Sequence, residues 1–158
     1  RCDFLVPASA LTQATAGAMT AEIDFDTLFT TARTIAVVGL SPDPARPSHD
    51  VARTMQREGF RIFAVNPLAA GTTILGERCH ADLVDISEPV DIVDCFRRSD
   101  AMLAVAHEAA AMQPRPMVLW MQRGIANEAA ARVARDAGIA VVSDRCLAVD
   151  YLRWRATH

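Results

Sequence analysis

The chain is poor in the features that mark metal, redox and membrane proteins. Its four cysteines, Cys2, Cys79, Cys95 and Cys146, are widely spaced and form no C-x-x-C pair. That excludes a zinc knuckle and a thioredoxin-like motif and leaves free thiols in a reducing cytoplasm as the expectation. No apolar run approaches the roughly 18 residues that span a bilayer. The histidines, His49, His80, His107 and His158, show no H-E-x-x-H or other metal spacing. Neither G-x-G-x-x-G nor G-x-x-x-x-G-K-[ST] occurs, so the dinucleotide fingerprint and the P-loop are both missing. Excess positive charge is missing too. A net charge of −3 gives no general attraction to nucleic acid or to an anionic membrane surface, so any polyanion must be held at a local site.

What remains is a globular composition, with 51% apolar and 22% charged residues in 158, enough for one core of ordinary size. Residues 1–18 are Ala/Thr-rich and without a sustained period, while Met19-Thr-Ala-Glu-Ile23 reads as a natural start. The expectation is an added leader or mis-assigned start over residues 1–18 and a single domain over 19–158. A signal peptide is disfavoured, because a basic segment leading into a continuous apolar stretch is absent.

From Asp24 onward the punctuation is regular. Asp24 is placed to cap a helix over Phe25 to Arg33, and strand one follows at Thr34 to Val38. Ser48 reads as the cap of a helix to about Glu58, closed by Gly59. Strand two, Arg61 to Val65, ends at Asn66-Pro67, because proline cannot continue the ladder. A short extended piece near Thr73 to Leu75 and at most one helical turn at Ala81 to Ile86 precede strand three, Val90 to Cys95. Ser99 reads as the cap of a helix to Met112, strand four is Met117 to Met121, Asn127 caps a helix to Ala137, and strand five is Ile139 to Ser143.

Strands that read as continuous apolar runs are covered on both faces, which points to a parallel sheet with crossover helices. The fold class expected is therefore α/β: a doubly wound, Rossmann-like sheet of five strands in the order 3-2-1-4-5. Ligands of such sheets sit outside the carboxyl ends of the strands where the order reverses, here between strands one and four. Candidate site residues follow from that rule: Gly39 to Ser41, Asn66-Pro67, Phe96-Arg97-Arg98, Gln122-Arg123-Gly124 and Asp144-Arg145-Cys146. Three of these five segments bring arginine on an acidic chain, which favours an anionic ligand.

The turn after strand one sharpens this. An apolar strand delivered to a glycine turn ahead of a helix is a phosphate-binding device, since free amides and the helix dipole favour an anion there. Alone, it leaves NAD, FAD and mononucleotides open. The NAD signature fails twice, at Gly39-Leu40-Ser41, which lacks the second and third glycines, and at Val65-Asn66-Pro67, which lacks the acidic residue. Asp91 and Asp94 flank apolar positions of strand three without a matching carboxylate dyad, so acid–base chemistry has no support. Cys146 invites a nucleophile reading but has no histidine in adjacent segments. His107-Glu108 is expected in solvent. Trp120, Tyr151 and Trp154 would be anchors of a homodimer or protein interface if exposed, although core burial is the simpler expectation for Trp120.

Several blocks in fixed order carry a resemblance. They are Val38-Gly-Leu-Ser-Pro-Asp-Pro-Ala-Arg-Pro-Ser48, Val65-Asn-Pro67, Ile74-Leu-Gly76, Val90-Asp-Ile-Val-Asp94 with Phe96-Arg97, Gln122-Arg-Gly-Ile125 and Asp144-Arg-Cys-Leu147. Over roughly Thr34 to Leu152 the chain resembles the stand-alone CoA-binding proteins, related to the CoA-binding domain of the succinyl-CoA synthetase α subunit. The resemblance implies that Gly39, Leu40, Ser41 and Pro42, with Arg46, Pro47 and Ser48, hold the diphosphate of coenzyme A. It further implies that Asn66 and Pro67 border the adenosine, that Phe96 and Arg97 wall that cleft, and that Met121, Gln122 and Arg123, with Gly124 turning the chain, meet the pantetheine arm. The chain departs from the synthetase pattern at Pro42 and Pro44, which replace a glycine-richer turn, and at Leu68-Ala69-Ala70, where a lysine is missing. Arg97 and Arg46 are the candidates for the 3′-phosphate. The synthetases carry their phosphorylated histidine in a second domain with no counterpart here, so the function implied is binding of CoA or an acyl-CoA without catalysis. The alternatives are an NAD(P)-binding redox enzyme or sensor and a small acyl-CoA-using enzyme employing Cys146.

Overall fold

A computed structural model describes residues 23–158. The leader expected over residues 1–18 lies outside them. Helix α1 (Phe25–Thr31) starts where Asp24 accepts the Asp26 amide at 3.0 Å. Strand β1 (Thr34–Val38) leads to helix α2 (Pro47–Arg57), and β2 (Arg61–Val65) follows. A 3₁₀ turn (Pro67–Ala69) then enters a hairpin, β3 (Thr73–Ile74) and β4 (Glu77–His80). Leu75 and Gly76 have φ of 53° and 81°, the pair of left-handed residues that a two-residue hairpin turn requires. A 3₁₀ turn (Leu83–Asp85), β5 (Ile92–Cys95), a 3₁₀ turn (Ser99–Ala101), α3 (Met102–Ala111), β6 (Val118–Met121), α4 (Glu128–Asp136), β7 (Ala140–Val142) and α5 (Leu147–Ala156) complete the chain.

The sheet order is β3-β4-β2-β1-β5-β6-β7, parallel except for β3 against β4. The class is the α/β, Rossmann-like one expected, but with seven strands rather than five. The place outside β2 belongs to β4, and Val90 to Cys95 supplies β5, which pairs with β1 on the other side, Val37 opposite Asp94. With β4 counted third, the six parallel strands run 3-2-1-4-5-6. The order therefore reverses between β1 and β5. Strand β4 escapes a search for apolar runs because only Cys79 of Glu77–His80 is buried.

Alternation along each strand feeds two core layers. Ile35, Val37, Ile62, Ile92, Val118 and Trp120 face α1, α2 and α5, which contribute Leu28, Met55 and Leu147. Ala36, Val38, Val65, Val93, Leu119 and Met121 face α3 and α4, which contribute Met102, Val105 and Ala130. Trp120 is fully buried, stacks on Phe25 at 5.6 Å and donates its indole N–H to the Arg145 carbonyl at 2.8 Å. Tyr151 is buried as well, and Trp154 donates to Asp26 at 2.6 Å, so neither Trp120 nor Tyr151 is offered to a partner. Among the described residues no helix is long and apolar enough to cross a membrane.

Two expected caps are corrected. Arg46 is the N-cap of α2 with Pro47 in the first turn, and the Ser48 hydroxyl accepts the Ser41 amide instead. Ser99 opens a 3₁₀ turn, and its hydroxyl accepts the Ala126 amide across the sheet edge at 3.2 Å. Asn127 caps α4 as expected, accepting the Ala130 amide at 2.9 Å, and also donates to the Ser99 carbonyl at 2.9 Å. Asn127→Ala removes a cap and this tie together, and should lower the unfolding free energy by about 1 kcal/mol or more in denaturant titration. An unchanged midpoint would contradict this assignment.

A candidate cofactor cleft at the carboxyl edge of the sheet

The turn after β1 is built around one contact. Gly39 sits at φ +86°, donates its amide to the Val65 carbonyl at 2.7 Å, and lies directly under the chain leaving β5. A Cβ placed there would meet the Phe96 carbonyl oxygen at 3.1 Å and Arg97 Cγ at 3.2 Å. The stem of Arg97 is thus laid across the turn, and its exposed guanidinium forms no salt bridge within 4.0 Å among the described residues. Leu40, fully buried, pegs the turn from below.

The loop that follows differs from a bare anion cradle. The Ser41 amide donates to Ser48 Oγ, Asp43 to Ser41 Oγ, Ala45 to Asp43 Oδ1 and Arg46 to the Asp43 carbonyl, all at 2.9–3.1 Å. Buried His49 donates from Nδ1 to the Ser41 carbonyl at 2.9 Å, which fixes its tautomer. Helix α2 begins only at Pro47, a residue with no N–H. Most amides expected to face an anion are therefore used within the loop, and the exposed Arg46 and Arg97 side chains carry the positive charge of this edge.

Beside the turn, Asn66 braces rather than projects. It donates to the Leu40 carbonyl at 3.0 Å and accepts the Leu68 amide at 3.0 Å, joining the ends of β1 and β2. Pro67, Val38, Val65 and Val105 wall a cavity of about 150 Å³ that Arg97, Asp82 and Glu108 also line. Phe96 is not part of it, since it packs half-buried against the opposite core layer. Glu108 is the residue that sequence reasoning missed. His107 is exposed as expected, but Glu108 turns inward. Its signal was the spacing Ala101, Ala104, Val105, Glu108, which is one helical stripe. Burial, reinforced by the charge of Asp82, pushes its carboxyl upward, while the Leu83 amide and Arg97 partly oppose this.

The β6 end forms the other flank. Met121 is fully buried in the layer under α3 and α4. Gln122 is buried too and donates its amide to Asp94 Oδ1 at 2.6 Å. Asp94 is wholly buried, and its other oxygen has no hydrogen-bond partner among the described residues. Burial pushes its carboxyl up to about 7, against the opposing Gln122 hydrogen bond. Arg123 is exposed and makes no salt bridge among the described residues, and Gly124, at φ +82°, donates to Asp144 Oδ1 at 2.6 Å. Arg145 is gripped by Asp150 through two bonds of 2.7 and 2.8 Å, and Arg98 pairs with Asp100 at 3.4 Å. Cys146 is half-buried as the N-cap residue of α5. Among the described residues no group of three or more His, Cys, Asp and Glu could hold a metal ion.

The edge thus gathers Gly39, Pro67 and Arg97 into one cleft, with Arg46 and Arg123 on its flanking loops. A family model described as CoA binding domain matches residues 33–151. The chain belongs to the CoA binding domain family. Within this family's reach, the uncharacterized protein YneT of Bacillus subtilis is 40% identical over 115 residues, covering 73% of this chain and 82% of that protein. A solved structure from Thermus thermophilus, cell-free ID.343, is 40% identical with TM-score 0.78, covering 82% of this chain and 95% of its own. A hypothetical protein from Pyrococcus horikoshii OT3 is 27% identical with TM-score 0.75, over 85% and 96%. The fold also recurs in a dinucleotide-forming acetyl-coenzyme A synthetase of Ca. Korarchaeum cryptofilum, at 24% identity and TM-score 0.63, over 75% of this chain and 27% of the synthetase.

Two outcomes follow from the geometry. Gly39→Ala forces a side chain into a left-handed backbone and against Phe96, so it should cost about 1–2 kcal/mol or more in thermal or chemical unfolding. Equal stability would show that the turn relaxes freely. For Asp94, the folded state holds its proton up to about pH 7, whereas the unfolded chain releases it near 3.8. Stability from this group is therefore full below pH 3.8 and is lost as pH rises to about 7. Relative to the parent, Asp94→Asn should gain stability progressively from pH 4 to 7 and hold that gain above. A difference independent of pH would contradict the raised value.

Proposed function

We propose that this protein holds coenzyme A, free or acylated, in the carboxyl-edge cleft, and that it binds without reacting. The observation that carries the reading is the Arg97 stem lying across the Gly39 turn in a chain of the CoA binding domain family. Gly39, lacking a side chain, lets the Phe96–Arg97 segment pass against the turn, and the Arg97 guanidinium beside it supplies charge-assisted donors of the kind a diphosphate takes bidentately. In this arrangement the diphosphate lies over Gly39, Leu40, Ser41 and Pro42 with Arg97 above it. Arg46, at the head of α2 beside Pro47 and Ser48, faces the same anion, and the adenosine enters the cavity beside Pro67. The pantetheine arm runs toward Arg123 and Gly124, where exposed backbone lies at the β6 end.

Gln122 and Asn66 act in this reading through the backbone they hold. Asn66 locks the Leu40 carbonyl, and Gln122 ties the β6 end to Asp94. The holding role is supported by the way the edge uses its reactive groups. Asp94 is walled in, and Cys146 has no histidine hydrogen-bonded to it among the described residues. Dinucleotide binding is less favoured, since the end of β2 offers Asn66, already engaged, where a ribose would need a carboxylate.

Calorimetric titration with CoA, acetyl-CoA and NADH tests the proposal. The expected result is binding of a CoA species in preference to NADH, and a loss of about tenfold or more in Arg97→Ala, the scale of one charge-assisted interaction. No heat with any CoA species, or full-strength binding by Arg97→Ala, would overturn it.

A further inference from the structure

The cavity beside Pro67 has a chemical polarity that the diphosphate reading does not use. Its walls, Val38, Val65, Pro67 and Val105, are apolar and suit the faces of a flat heterocycle. Its ionisable lining residues divide into one donor, Arg97, and two acceptors, Asp82 and Glu108. Arg97 belongs to the Gly39 end, where its stem touches the turn. Glu108 lies four residues past Ala104 on α3, just over one turn or about 6 Å farther from the carboxyl edge. A ligand whose phosphates lie at Gly39 therefore presents the far edge of its base toward a carboxylate.

We propose that Glu108 is a specificity-determining residue that selects an adenine base, accepting a hydrogen bond from its exocyclic amine and rejecting a base that carries a carbonyl there. The inference rests on the cleft reading above and names the part of the ligand that the cavity takes. A carboxylate can only accept, so placed at position 6 it matches the amine of adenine, whereas hypoxanthine presents a carbonyl there and carries its donor one ring atom away at N1, leaving two acceptors face to face in a partly desolvated pocket. Glu108 is half-buried among the lining residues and forms no salt bridge among the described residues, so its carboxylate has acceptor capacity for a base. Asp82 is exposed at the mouth, so its contribution is screened.

The test compares ADP with inosine diphosphate, which differ at this position, together with CoA, by calorimetry on the parent chain, Glu108→Gln and Asp82→Asn. Glutamine keeps the shape and can turn either its carbonyl or its amine toward the base; melting curves confirm that each variant is folded. The parent should bind ADP about tenfold or more better than inosine diphosphate. Glu108→Gln should bring the two within about threefold, while Asp82→Asn should leave the preference in place. Equal binding of both nucleotides by the parent, a preference that survives in Glu108→Gln, or one that vanishes in Asp82→Asn would overturn the role of Glu108, and so would a failure of every adenine ligand to bind. CoA binding without base preference would overturn this inference and leave the CoA reading standing. Adenine-selective ADP binding with CoA bound no better than ADP would support it and count against the CoA reading.

Discussion

The contact between the Gly39 turn and the Phe96–Arg97 segment is the constraint on which the rest of the edge depends. Strands β1 and β5 are neighbours at the point where the sheet order reverses, and their exits must diverge to opposite faces. Only a residue without a side chain lets the second exit pass directly over the first. Once that crossing is made, Arg97 is delivered above the turn, Phe96 is driven into one core layer, and α3 descends on the other with Glu108 facing the cavity. An exposed cation, a half-buried aromatic and a cavity-lining acid are thus positioned by one close approach.

Around this crossing the polar groups divide between those that brace the fold and those left exposed. Asn66, Ser48 and His49 each hydrogen-bond to the loop after β1, so the turn is held in place by the fold itself. Arg98 and Arg145 are engaged by Asp100 and Asp150, whereas Arg46, Arg97 and Arg123 form no such salt bridges among the described residues. Charge neutralised within the fold is thereby separated from charge left exposed on the loops at this edge. Asp94 stands apart from both groups. It places a carboxyl in the middle of the sheet with Gln122 as its side-chain partner, an arrangement that favours its neutral form and ties stability to pH.

The central strands were legible because two-sided burial writes them as continuous apolar runs, and Gly39 was legible because a strand broken by glycine has few other uses. Strand β4 was not, since an edge strand with one buried residue looks like loop. Helix α5 was missed for a related reason: Leu147-Ala-Val-Asp-Tyr151 begins at Cys146, which makes no side-chain cap, and interleaves buried Asp150 with the core residues. Ser48 and Ser99 sit where caps belong, yet their hydroxyls serve distant amides, a choice that only tertiary structure reveals. Of the site, the glycine turn and the arginines could be read from residue type and position. The ligand proposed rests on the ordered blocks and the family match, because strand-end geometry alone is shared by many nucleotide binders. Glu108 was hidden by its neighbour, since a His-Glu pair on a helix reads as solvated until the face each residue takes is known.

A crystal structure of the protein grown with coenzyme A measures the central claim most directly. The account predicts diphosphate density over Gly39 within hydrogen-bonding distance of the Arg97 guanidinium, with the adenine between Val65 and Val105. Density for the cofactor at any other surface, with Arg97 free of it, would contradict the account.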